Sequence, residues 1–66
     1  MFENKNYSRD KLEDLYERAM LIMVLCYQLA DEAYKNHDYM LSLELIEAKK
    51  TFGKVYDELD YILNGK

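Results

Sequence analysis

The sequence predicts an all-α chain, an antiparallel two-helix hairpin that dimerises into a four-helix bundle. Three observations predict it. Apolar residues recur at alternating steps of three and four along two long stretches, only the polar run Lys35-Asn36-His37-Asp38 separates them, and the 66 residues contain no proline.

Residues 1–8 hold no sustained period and read as a flexible arm or short turn. Ser8 or Asp10 then caps helix one, over about 9–35, with Glu13 completing a capping-box-like D-x-x-E after Asp10. Its seam runs through Leu12, Leu15, Ala19, Ile22, Cys26, Leu29 and Ala33. Asp38 caps helix two, over about 39–63, with a seam of Leu41, Leu45, Ala48, Phe52, Val55, Leu59 and Ile62; Asn64-Gly65 is a stop signal that closes the hairpin unit 9–64. Folded on each other, the seams pair from Leu12 with Ile62 to Ala33 with Leu41, and the residue numbers of every pair total 74. Two unrelated amphipathic helices do not register so fully about one loop.

A second stripe lies beside the first. Tyr16, Met20, Met23, Tyr27, Ala30 and Tyr34 occupy the next helical positions of helix one, and Ile46, Gly53 and Tyr56 lie on the same side of helix two. A two-helix hairpin leaves this stripe unburied, an apolar face larger than a monomer ordinarily exposes, which predicts that the chain dimerises, or forms a higher closed oligomer, through it. The opposite edge, Lys11, Arg18, Leu25 and Glu32 facing Glu44, Thr51 and Glu58, reads as the wet side, with Arg18 in reach of Glu58. Leu21, Val24 and Leu25 point to neither seam and are candidates for a second partner surface. Gly53 costs about 1 kcal/mol inside a helix relative to alanine and is expected where the helices cross closely.

Composition bounds the function. A single cysteine, Cys26, excludes an internal disulfide, so a chain near the lower size limit must gain stability from packing or self-association. The net charge of −4 and dispersed cations disfavour nucleic acid, and the apolar run Ala19–Ala30 falls short of the ~20 residues that span a bilayer. Cytoplasm is the expected location. Carboxylates such as Glu44 and Glu47 fall on outer helix positions without a Glu-x-x-His motif, His37 sits in the loop, and Cys26 lies on the core seam. No catalytic, metal or cofactor site is expected. The abundance of Lys, Asn, Tyr and Glu suits an AT-rich bacterial or phage genome.

Two resemblances are present. The stretch AYKNHDYMLSLELIEA resembles the turn region of a tetratricopeptide repeat at Tyr34, Asp38, Tyr39 and Leu43, with His37 where that family favours glycine and no second repeat. The segment DELDYIL is similar, at Glu58, Leu59 and Asp60, to the S-Q-E-L-D segment of the small two-helix sporulation phosphatases, with Tyr56 in place of the signature serine. That likeness implies an alternative, a phosphatase of response-regulator phosphoaspartate using Asp60. The residues themselves favour a non-catalytic adaptor or inhibitor that self-associates and binds a larger protein, or else a structural assembly subunit.

Overall fold

The computed structural model describes residues 7–65; residues 1–6, most of the expected arm, and residue 66 lie outside the described residues. Two helices, α1 (Arg9–Lys35) and α2 (Tyr39–Asn64), pack against each other as a hairpin 47 Å long, 20 Å wide and 16 Å thick. No helix among the described residues is long and apolar enough to cross a membrane.

Local chemistry sets the ends. Ser8 is extended and its Oγ accepts from the Lys11 backbone N–H at 3.3 Å, with Asp10 in the first turn where the helix dipole favours an acid. At the loop the Asp38 N–H donates to the Ala33 carbonyl at 2.8 Å while His37 adopts φ 67°. This left-handed residue after a helix is the position that glycine fills without strain. Asp38 Oδ1 then accepts from the Leu41 N–H at 3.3 Å and opens α2, and Gly65 closes it at φ 70° with its N–H on the Tyr61 carbonyl at 2.8 Å.

The seam between the helices departs from the heptad expectation. Only Ala19, Ala30, Ala33, Ser42 and Leu59 are buried among the described residues, and no large side chain is fully so. The half-buried apolar and tyrosine residues beside them are Leu12, Tyr16, Ile22, Met23 and Cys26 on α1 and Leu45, Ala48, Phe52, Val55, Tyr56, Ile62 and Leu63 on α2, so the expected α2 seam is kept at all but Leu41. Leu15, Leu29 and Leu41, expected on the seam, are 43%, 50% and 43% exposed. The expected and observed lines on α1 share Leu12, Ala19, Cys26 and Ala33; the observed line takes 16 and 30 rather than 15 and 29, and half-buries Met23 beside Ile22. With 3.6 residues per turn this is a rotation of about 40° toward the Tyr/Met side.

Side-chain size explains the rotation. Interaxial distance depends on the residues at the crossing, and Ala30, Ala33 and Ser42 let the backbones approach where Leu29 and Leu41 would hold them apart. The approach is close enough for the Ser42 hydroxyl to donate to the Ala30 carbonyl at 2.9 Å, a buried bond between helices. At the open end, the rings of Tyr16 and Tyr56 stack with centroids 4.4 Å apart, and the Tyr16 hydroxyl donates to Asp60 at 2.9 Å. These cross-helix pairs have residue numbers totalling 72 or 76, straddling the predicted 74. Arg18 bonds Asp14 on its own helix at 2.9 Å instead of reaching Glu58. The other ion pairs also run along one helix and are exposed, so charge does not set the register.

Candidate protein-binding faces

The rotated seam divides the nine residues expected at an interface. Tyr16, Met23, Ala30, Gly53 and Tyr56 are buried or half-buried in the contact between α1 and α2. Met20, Tyr27, Tyr34 and Ile46 remain exposed, Tyr27 and Tyr34 by more than 60%. Near the loop, Tyr27, Ala30, Asp31, Tyr34, Ser42 and Ile46 line an apolar concavity of about 200 Å³ between the helices. Tyr34 is braced edge-on by Tyr39 at 5.2 Å, and the Tyr39 hydroxyl lies 3.4 Å from His37 Nδ1. This is a groove walled by tyrosines with one acid at its rim.

The same face is polar at the open end. Arg9, Glu13, Tyr16, Glu17, Leu63 and Asn64 line a second concavity of about 340 Å³. Asp60 Oδ1, the group on which the phosphatase alternative rests, accepts from both Tyr16 at 2.9 Å and Asn64 at 2.6 Å. Hydrogen bonding to Tyr56 and to Asp60 holds the Tyr16 phenol well above its ordinary range, aided by desolvation and the negative charge of Asp60. The cluster locks the two helices together with its own polar atoms. Gly53 is less crowded than expected, because a Cβ built there meets Met23 Sδ at 3.7 Å, an ordinary contact distance.

The opposite face is where the sequence reading departs most from the structure. Its polar residues Lys11, Arg18, Glu32, Glu44, Thr51 and Glu58 are exposed as expected, but the rotation turns Leu15, Leu29 and Leu41 onto the same face beside Leu25, which is 48% exposed. Half-buried Ile22, Val55 and Ile62 continue the stripe. The signal was present as strict seven-residue spacing, 15-22-29 on α1 and 41-48-55-62 on α2. Leu21, Val24 and Leu25 are all exposed on the back of α1, but they divide: helical position sets Leu25 toward the aliphatic face, Val24 toward the tyrosines and Leu21 between them. The middle of α1 is therefore apolar around its whole circumference.

Among the described residues no group of His, Cys, Asp and Glu is arranged to hold a metal ion. Cys26 is a half-buried free thiol on the seam, and His37 stays in the loop against Tyr39. Compared with protein-family models, curated proteins and solved structures, the chain matches none.

Proposed function

We propose that the chain is a small non-catalytic interaction protein, an adaptor or inhibitor, that self-associates into a four-helix bundle and binds a larger protein through its Tyr/Met face. The exposed tyrosines around the inter-helix groove carry this reading. Tyr27 and Tyr34, two turns apart on α1, stand open along one wall of a concavity whose floor is Ala30 and Ser42 and whose other wall is Ile46 of α2. Tyrosine supplies a large contact area with few rotors to freeze and a hydroxyl that tolerates water while the site is empty, so it suits a partner that comes and goes. The groove has room for one apolar anchor from a partner helix, and Asp31 at its rim favours a cation beside that anchor.

Self-association is supported by how little the hairpin buries on its own. Leu59 is its only buried residue larger than serine among those described. Closing two hairpins on each other gives the missing interior. The test of partner binding is affinity capture from the source cells with wild type, with Tyr27→Ser/Tyr34→Ser, and with Lys50→Ser as a control away from the groove. The reading expects one larger protein retained by wild type and control and lost by the double variant. Retention by all three sinks the assignment to this face.

A further inference from the structure

The aliphatic face needs an occupant of its own, and its pattern identifies one. We propose that it is covered by a second copy of the chain, turned end for end about a two-fold axis that passes beside Ile22 and Thr51. The proposal rests on the self-association reading and moves its interface from the Tyr/Met face to the Leu/Ile/Val face.

Symmetry within the stripe is the first ground. A two-fold interface places the same patch on both subunits, so residues must be arranged evenly about the axis. On α1 the aliphatic positions 15, 22 and 29 are symmetric about 22; on α2, positions 41, 48, 55 and 62 are symmetric about the midpoint of 51 and 52. The hairpin contacts total 72 to 76 in residue number, which sets 22 level with 50–54. One axis perpendicular to the helices therefore serves both. It lays Leu15 on Leu29 of the second copy, Ile22 on its own equivalent and Leu41 on Ile62 of the second copy.

Charge separates the two faces. Under this axis Lys11 meets Glu32 of the second copy at the rim of the aliphatic stripe, two opposite-sign contacts in the dimer. The same rotation applied to the Tyr/Met face brings Glu13 onto Asp31 of the second copy, like on like. An arrangement with both open ends together fares no better there, since Glu13 then lies level with Asp60. The aliphatic face carries one conflict, Glu44 against Glu58 of the second copy. Both are exposed at the outer rim, where solvent and salt screen them.

Composition and area agree. No tyrosine lies on this face, and the cores of permanent homodimers are richer in aliphatic surface than interfaces that open and close. The hairpin is 47 Å long and 20 Å wide, an outline broad enough for the ~800 Å² per partner of a standard stable interface.

The experiment is sedimentation equilibrium of the full chain over a wide concentration range, with helicity followed by circular dichroism. Wild type is expected at twice 8.0 kDa. The axis that pairs Lys11 with Glu32 also sets Leu25 against Arg18 of the second copy. Leu25→Lys therefore puts like charges together at a residue already half exposed within the hairpin and is expected to give monomer, whereas Tyr27→Glu stays dimeric. Lys11→Glu is expected to weaken the dimer roughly fivefold and Lys11→Glu/Glu32→Lys to restore it, a readout that survives even if Leu25→Lys unfolds. A wild-type monomer at every concentration overturns self-association and this interface together. A dimer lost in Tyr27→Glu and kept in Leu25→Lys overturns only the choice of face. A dimer that needs Leu25 but is not restored by the charge exchange overturns the end-for-end orientation.

Discussion

The two broad faces of the hairpin are built from the same helices yet differ in kind. One presents Tyr27 and Tyr34 along a groove with Met20 beyond it, and acids at both ends. The other presents Leu15, Leu25, Leu29 and Leu41 with no aromatic residue. The difference arises at the seam. Had Leu29 and Leu41 stayed inside, the second face would be wet and the tyrosines would stand alone as an apolar surface. Small residues at the crossing draw the seam toward Tyr16 and Met23, and the leucines displaced by that choice become a second sticky side. A hairpin too thin to hold a core thus sorts its apolar residues by their tolerance of water. The side we assign to a changing partner carries hydroxyl-bearing aromatics together with Val24 and Ile46, whereas the side we assign to a copy of itself carries bare aliphatics.

The contrast is broken most directly at Ala30. Ala30→Leu places a large side chain in a buried layer where the Ser42 hydroxyl reaches the Ala30 carbonyl at 2.9 Å. Overpacking there should cost about 1–3 kcal/mol in urea unfolding. If the helices instead rotate back so that Leu29 is buried, the aliphatic face shrinks and dimerisation weakens with little loss of hairpin stability. An unchanged unfolding midpoint with an unchanged dimer would show that the small-residue crossing does not position the faces.

That alternative also explains what the sequence could and could not reveal. The hairpin plan was legible because the polar break at Asn36-His37 and the caps at Ser8, Asp38 and Gly65 are local signals. Choice of seam was not, because two lines of three-four spacing share Leu12, Ala19, Cys26 and Ala33 and period alone does not rank them. The ranking comes from contacts that no heptad count contains: the Ser42 hydroxyl on Ala30, the Tyr16–Tyr56 stack and the bond from Tyr16 to Asp60. Of the expected interface residues, those whose exposure survives, Met20, Tyr27, Tyr34 and Ile46, lie furthest round from the line of contact. Arg18 was mistaken for a cross-helix partner because Asp14, one turn before it, is nearer.

A smaller effect is expected from removing the polar lock on the tyrosine side. Tyr16→Phe keeps the stack on Tyr56 and deletes the donor to Asp60, so the thermal midpoint should fall by a few degrees. The pH dependence gives a sharper readout. Because the folded chain holds the Tyr16 phenol above its ordinary value, the unfolded chain loses that proton first, beginning near pH 10. The contribution is fully present below that pH and is lost as pH rises toward the folded value. Tyr16→Phe should therefore unfold less steeply than wild type above about pH 10. Identical alkaline profiles would mean that the phenol is not held by the contacts seen here.

The smallest expected effect bears on why the tyrosine side carries a glycine. Gly53 sits in the interior of α2, where alanine is better by up to about 1 kcal/mol through reduced backbone entropy. The hairpin does not forbid the methyl group, since the nearest atom to an added Cβ is Met23 Sδ at 3.7 Å. Gly53→Ala is therefore expected to raise stability by about 0.5–1 kcal/mol in urea unfolding, with the dimer intact. Packing within one chain then gives no reason for glycine at this position, and the reason passes to whatever rests on the Tyr/Met face. The same variant carried through the capture experiment decides it: reduced retention of the larger protein would place a close backbone approach at Gly53, whereas full retention would leave the glycine as a weak point without a role. A loss of stability on adding the methyl group would instead return the explanation to the crossing of α1 and α2.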